Sequence, residues 1–122
     1  MADDLGYRKL SVYQKANTLV LSVYEFTKKF PKEELFGLTS QMRRCAVSVV
    51  ANLVEGYGRR TINDKIHFYY ISRGSLSELE YYLDLAFQLE YLSEKDYRDI
   101  YDLRKEVGKL LNGFIRAITG SK

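Results

Sequence analysis

The 122-residue sequence has little cysteine, histidine or proline, with one residue of each (Cys45, His67 and Pro31), and it has no tryptophan. A single cysteine excludes an intramolecular disulfide and fits a reducing compartment. With only one histidine and one cysteine, the chain cannot form the usual zinc sites, which need four nitrogen or sulfur ligands. No nucleophile, base and oxyanion site come together in the sequence. We therefore expect a protein that is not an enzyme, with no catalytic residues, no metal and no cofactor.

Long apolar runs are also missing. No window of about eighteen residues is apolar and free of charge, so we expect no membrane-spanning segment. The first residues, Met1 to Leu5, are acidic and lack the apolar core of a secretory signal. Together these absences predict a cytoplasmic protein.

Apolar residues recur at steps of three and four along most of the chain, the period of helices with one buried face. This spacing predicts helices over about 10–29, 38–57, 62–91 and 93–118. Four helices of roughly twenty to thirty residues joined by short links are typical of a bundle. We predict an all-α fold, an antiparallel up-down-up-down four-helix bundle. It forms one domain over 1–122 with an ordered core at about 7–118.

Residues near the predicted helix ends indicate how each helix begins and ends. Thr39 or Ser40 is expected to cap the second helix, and Gly56-Tyr57-Gly58 to end it with a left-handed glycine. Arg73-Gly74-Ser75 interrupts the apolar stripe of the third helix. Ser93, followed three residues later by Asp96, is expected to cap the fourth.

Charge is distributed unevenly along the chain, although the net charge is only +3. Residues 37–75 contain six basic and two acidic side chains, whereas residues 76–108 contain four and nine. Arginine near glycine and tyrosine suits phosphate contact and base stacking. The candidate nucleic-acid-binding residues are Arg43, Arg44, Tyr57, Arg59, Arg60, Lys65 and Arg73. The alternative for Arg59 and Arg60 is that they are solvated and interact favourably with the negative end of the dipole of the second helix.

Some of these residues also have a structural interpretation. In an antiparallel hairpin of the second and third helices, facing residues have numbers that sum to about 121. This rule brings Arg43 and Arg44 near Glu78 and Glu80, and Glu55 near the start of the third helix. We expect cross-helix ion pairs that fix the register, with Arg43, Arg44, Glu55, Glu78 and Glu80 as candidates.

Eleven tyrosines are many for one small core. Adjacent tyrosines at 69–70 and 81–82 cannot both point inward, because neighbours on a helix lie about 100° apart. Outward tyrosines favour protein interfaces and so indicate self-association. Ordinary half-buried tyrosines at the edges of the bundle are the alternative.

Several segments together resemble a known family. The run Phe30-Pro31-Lys32-Glu33-Glu34-Leu35-Phe36-Gly37-Leu38-Thr39-Ser40-Gln41-Met42-Arg43-Arg44, with Asn52-Leu53-Val54-Glu55-Gly56-Tyr57-Gly58-Arg59, resembles four-helix-bundle proteins encoded in intervening sequences of bacterial large-subunit (23S) ribosomal RNA genes. Arg73 to Glu80 and Gly108 to Gly113 support this resemblance, which covers about residues 7–118. The chain departs from many relatives at Val50, where they have proline.

The resemblance implies an antiparallel four-helix bundle that assembles as a ring-shaped homopentamer and binds RNA or other nucleic acid. Our leading hypothesis is a non-enzymatic oligomeric module that binds structured RNA or other nucleic acid through a basic patch. The alternative is a ring-shaped scaffold that docks another protein and does not contact nucleic acid directly. The sequence leaves both open.

Overall fold

The computed structural model describes residues 6–120, which are helical over most of their length and contain no strand. Met1 to Leu5, on which the absence of a secretory signal was argued, lie outside the described residues. The four main helices are α1 (Ser11–Thr27), α2 (Leu38–Tyr57), α3 (Ile62–Gln88) and α4 (Glu94–Thr119), and short 3-10 helices cover Gly6–Lys9 and Lys32–Glu34. The predicted all-α fold is confirmed.

Each main helix contributes one apolar stripe to a single core. The fully buried side chains include Leu19 of α1, Met42 of α2, Leu83 of α3 and Val107 of α4. Helices that follow one another along the chain pack together, and α1 also packs against α4. This closed cycle of neighbours is consistent with up-down-up-down topology. Within residues 6–120, no helix has the length and hydropathy to cross a bilayer.

Predicted and observed helix boundaries differ most in α3. Arg73-Gly74-Ser75 interrupts the apolar stripe as predicted, and the helix runs through these residues without a break. It ends at Gln88, where Glu90 adopts φ 63° and the Tyr91 N–H donates to the Ala86 carbonyl at 2.9 Å. This is a Schellman ending with glutamate in the left-handed position that glycine usually takes. No glycine marks the site, so the sequence predicted a longer helix.

Helix α2 has the predicted bounds, but its ends are built differently. Gly37 is the N-cap, and the Glu34 carboxylate accepts the Leu38 N–H at 3.0 Å, so Thr39 and Ser40 are not caps. At the other end Gly58 has φ −82°, which corrects the expected left-handed glycine.

Helices α3 and α4 both begin with a hydroxyl cap. The Thr61 side chain accepts the Asp64 N–H, and Ser93 accepts the Asp96 N–H, each at 3.1 Å. The predicted Ser93 cap is confirmed. These caps hold the first turns of the two helices, and both cap residues have extended backbone.

Candidate nucleic-acid interface

The hairpin of α2 and α3 is the framework for the candidate site. The Ser72 hydroxyl donates to the Val49 carbonyl at 2.7 Å, and the hydroxyls of Ser48 and Ser75 lie 2.8 Å apart. Val49 and Ser72 have numbers that sum to 121, so the predicted register is confirmed. Small side chains let α2 and α3 approach closely, and their connection then projects from one end of the bundle.

The predicted ion pairs of this register are wrong. Within residues 6–120, neither Arg43 nor Arg44 lies within 4.0 Å of a carboxylate. Glu55 pairs instead with Arg59 on its own helix at 2.8 Å, and Glu80 pairs with Arg104 of α4 at 3.4 Å. The register is held instead by hydrogen bonds of the buried Ser72 and of the half-buried Ser48 and Ser75. Arg43 points towards α1, and Glu80 points towards α4.

Arg43 has a structural role, because its side chain links α2 to α1. Its Nε donates to the Thr27 hydroxyl at 2.9 Å, its guanidinium lies over the Tyr24 ring, and a longer hydrogen bond of 3.5 Å reaches the Tyr24 carbonyl. These contacts join α2 to the last turn of α1. Arg44, one residue on, is exposed, and among residues 6–120 its side chain makes no hydrogen bond or ion pair.

Glu78 lies beside the only cysteine. The Cys45 thiol is buried and donates to the Ser75 carbonyl at 2.8 Å, with a Glu78 carboxylate oxygen 3.7 Å from the sulfur. Burial, and secondarily the Glu78 charge, raises the pKa of the Cys45 thiol to about 12. Cys45 is therefore a packing residue with little thiolate.

Three parts of the chain meet at the end of the bundle where α2 finishes. They are the 3-10 helix Gly6–Lys9, the connection from Gly58 to Thr61, and the last turns of α4. The rings of Tyr7 and Tyr57 lie 6.3 Å apart, and Tyr69 of α3 packs on Phe114 of α4 at 5.0 Å. We call this region the basic end, because its half of the bundle is strongly cationic.

The charge count shows how strong this asymmetry is. The half of the bundle that includes the basic end (residues 6–18, 48–75 and 107–120) has nine basic and two acidic side chains. The other half (residues 19–47 and 76–106) has nine basic and twelve acidic side chains. Arg8, Lys9 and Arg116 also lie at the basic end, although they were not among the candidate nucleic-acid-binding residues predicted from the sequence. They could have been predicted from the antiparallel topology, because it places both ends of the chain at the same end of the bundle as the α2–α3 connection.

Lys65 and Tyr57 shape the basic end from within. The Lys65 Nζ donates to the carbonyls of Tyr57 at 2.8 Å and Gly56 at 3.4 Å, and so places a positive charge at the C-terminal end of α2. The Tyr57 ring is half-buried, with Tyr7 at its edge and the Lys65 ammonium 5.6 Å from its centroid. Both residues are engaged inside the protein, and only part of the Tyr57 ring remains open.

Arg59 and Arg60 form the exposed tip. Arg59 pairs with Glu55 and lies over the Phe68 ring, 4.6 Å from its centroid. The exposed Arg60 side chain makes no ion pair or hydrogen bond within the described part of the chain. An exposed i,i+4 pair contributes only about 0.3–0.5 kcal/mol, so Arg59 remains free to exchange Glu55 for a phosphate.

Another exposed arginine lies further along the chain, in α3. The Arg73 guanidinium is 4.8 Å from the centroid of the Tyr70 ring and donates to the Asn112 side chain of α4 at 3.3 Å. Tyr70 is 48% exposed, whereas its neighbour Tyr69 is buried. Tyr70 is a site residue that the sequence analysis did not single out, although its spacing of three residues from Arg73 was visible.

The candidate residues therefore divide by environment. Arg59 and Arg60 are exposed at the basic end, and Arg73 is exposed near the middle of α3. Lys65 and Arg43 serve the fold, and Arg44 lies towards the other end. Within residues 6–120, no three side chains of the His, Cys, Asp and Glu types come together as metal ligands. The arrangement can offer guanidinium groups and a partly exposed aromatic ring to a polyanion.

Comparisons with known proteins place the chain in a family. The model of the 23S rRNA-intervening sequence protein family matches residues 8–113. A crystal structure of a protein of unknown function from the S23 ribosomal protein family of Bacteroides thetaiotaomicron VPI-5482 is similar, with 26% identity and a TM-score of 0.80. The similarity covers 86% of this chain and 95% of that one. The comparison with curated proteins gave no significant match. The chain belongs to the 23S rRNA-intervening sequence protein family.

Proposed function

We propose that this protein is a non-enzymatic, oligomeric helical module of the cytoplasm that binds structured RNA or other nucleic acid through its basic end. The observation that supports this proposal is the excess of nine basic over two acidic side chains in that half of the bundle. Phosphate contacts by such groups provide the sequence-independent part of nucleic-acid affinity.

Exposed arginines would make the first contacts. Arg59 and Arg60 project from the α2–α3 connection, where guanidinium groups can pair with phosphate oxygens in bidentate geometry. Arg73 and Tyr70 provide a charge and a ring further along α3. Lys65 acts indirectly, since its hydrogen bonds to the Tyr57 and Gly56 carbonyls hold the connection in place.

Assembly would strengthen this binding. The family resemblance implies a ring-shaped homopentamer, and a ring repeats one basic end around a common axis. Several weak phosphate sites held together raise the effective concentration of each. Tyr81, which is 60% exposed and lies outside the proposed nucleic-acid-binding surface, is a suitable contact residue between copies.

The test is the salt dependence of binding to a fluorescein-labelled RNA hairpin, measured by anisotropy with the full chain. Affinity should fall linearly on a log–log plot against salt, and the Arg59→Ala/Arg60→Ala double variant should reduce the slope by about 1–2 per chain engaged. The matched control is Lys95→Ala/Arg98→Ala, two exposed cations of α4 at the opposite end. Binding that is absent, independent of salt or equally affected by both double variants would overturn the proposal. Light scattering of the same samples gives the number of subunits.

A further inference from the structure

Phe36 is an aromatic side chain that the fold leaves in water. It is 92% exposed, the largest exposed fraction among the large apolar side chains described. Leu35 beside it is 51% exposed, and Tyr24 of α1 and Val47 of α2 are about two-fifths exposed. A continuous apolar patch of this kind on a protein surface marks an interaction site more often than chance.

The turn that carries Phe36 is braced. The Gly37 N–H donates to the Glu34 carbonyl at 3.0 Å, and the Leu38 N–H donates to the Glu34 carboxylate at 3.0 Å. The second oxygen of that carboxylate accepts the Tyr91 hydroxyl at 2.9 Å. Phe36 is thus presented by an ordered segment, which lowers the conformational entropy lost when a partner binds.

Two adjoining clefts lie on this face, with volumes of about 420 and 430 Å³. They share Leu35, Thr39 and Arg43. We call the combined surface the Phe36 groove. Its apolar lining is Tyr24, Phe30, Pro31, Leu35, Phe36 and Val47.

The charges of the Phe36 groove all have one sign. Four cations line it (Lys28, Lys32, Arg43 and Arg44), and no carboxylate does. Lys28 is paired with Glu25, but the other three have no carboxylate within 4.0 Å among residues 6–120. A groove with apolar walls and unpaired cations complements a segment that is apolar on one side and acidic on the other.

A second copy of the chain fits this groove poorly in a symmetric, groove-to-groove arrangement. Face-to-face pairing of two Phe36 grooves would bring cations against cations. A copy docked through another face would have to supply acidic residues, and several of these are already bonded within the chain: Glu34 to Tyr91, Asp84 to Tyr97 and Glu80 to Arg104. Nucleic acid could pair with these cations but would leave the aliphatic Leu35 and Val47 without an apolar partner.

We propose that the Phe36 groove docks an acidic amphipathic segment of another protein. Apolar anchors of the segment, at helical spacing, contact Phe36, Leu35 and Val47. Its carboxylates pair with Arg44, Arg43 and Lys32. The groove is at the start of α2 and the basic end at its finish, so about 30 Å of helix separates the two sites. This inference goes beyond nucleic-acid binding and does not depend on it.

The test uses fluorescein-labelled peptides of about 14 residues, with Leu or Phe anchors at positions i, i+3 and i+7. One panel has Glu at the remaining positions and a matched panel has Lys. We expect the acidic panel to bind the full chain, with affinity at least about tenfold lower for Phe36→Ser and for Arg44→Glu. Ile62→Ser and Lys105→Glu, which alter an exposed apolar and an exposed basic residue elsewhere, should change affinity by less than about twofold.

Three results would overturn the proposal. The first is equal binding of acidic and basic peptides, or no binding by the acidic panel. The second is unchanged affinity in Phe36→Ser and Arg44→Glu. The third is a lower light-scattering mass for Phe36→Ser than for the unmodified chain, which would show that a second copy fills the groove. Failure of the RNA-binding test at the basic end alters none of these outcomes.

Discussion

The Tyr91 hydroxyl donates a hydrogen bond of 2.9 Å to the carboxylate of Glu34, and this bond joins the two connections at one end of the bundle. Glu34 precedes α2 and Tyr91 follows α3. The hydrogen bond to Glu34, together with burial, raises the pKa of Tyr91, so the hydroxyl stays protonated at neutral pH.

Replacing Glu34 should show that its carboxylate has two roles. Glu34→Ala removes both the acceptor for Tyr91 and the cap of the Leu38 N–H, and we expect the loss of the cap alone to cost about 1 kcal/mol. Tyr91→Phe removes only the first contact and should destabilise less. Urea unfolding of the two single variants and the double variant measures the coupling. Strictly additive effects would contradict a direct interaction between these side chains.

Alanine substitution at two helical glycines should change the stability of the fold in opposite directions. A Cβ on Gly56 would lie 2.6 Å from the Tyr69 ring and 3.1 Å from the Lys65 carbonyl, so Gly56→Ala should destabilise by about 1–3 kcal/mol. A Cβ on Gly74 would meet nothing within 4 Å, so Gly74→Ala should stabilise by up to about 1 kcal/mol. Thermal unfolding of both variants is the measurement. Similar shifts in the same direction would mean that helix propensity, not packing, dominates at Gly56.

The left-handed residue at the end of α3 offers a stabilising substitution. Glu90 has φ 63°, a conformation that costs a residue with a Cβ about 1 kcal/mol relative to glycine. Glu90→Gly should therefore raise the urea midpoint without changing its slope. Glu90→Ala keeps the Cβ and is the matched control, for which we expect little change. A gain shared by both variants would assign the effect to the removed charge.

The buried thiol should resist modification. With a pKa of about 12 in place of 9.0, the Cys45 thiolate fraction near neutral pH is roughly a thousandfold lower than that of a free thiol. Reaction with a disulfide reagent should be slow in the native protein and fast in urea. Cys45→Ser, which has no thiol, is the control for background reaction of the reagent. A native rate close to that of the unfolded chain would show that the α2–α3 seam opens readily.

Alkaline pH should destabilise the bundle through Tyr97. Its hydrogen bond to Asp84, with burial as a second cause, raises the pKa of Tyr97 from 10.0 to about 12. The unfolded chain then loses this proton at lower pH than the folded one, so stability is complete below pH 10.0 and decreases as pH rises towards about 12. In a Cys45→Ser background, which removes the thiol titration, Tyr97→Phe should flatten this decline in urea midpoints. An unchanged slope would contradict the assignment.

The sequence was sufficient to predict the four helices and the register between α2 and α3. Apolar spacing located α2 from Leu38 to Tyr57, and the sum near 121 is realised by Ser72 and Val49. The register gives the position of a side chain along the helix axis but not the direction in which it points around that axis. Arg43 is level with α3 residues yet points towards Thr27 of α1, so the predicted ion pairs did not form.

The candidate site was only partly visible in the sequence for a related reason. Arg59 and Arg60 are adjacent in the chain, and their cluster could be read directly. Arg8 and Arg116 join them only after folding, because the antiparallel helices bring both ends of the chain to one place. Lys65 has the expected position, but its ammonium group is directed at backbone carbonyls that no sequence pattern reveals.

The unequal charge of the two halves gives the bundle an electric dipole directed along its long axis. A polyanion approaching from solution exerts a torque on such a molecule, so encounters begin with the end around Arg59 and Arg60 turned towards it. This orientation acts before any contact forms and raises the association rate more than the lifetime of the complex. The effect weakens once the screening length falls to about 10 Å or less, well below the length of the helices.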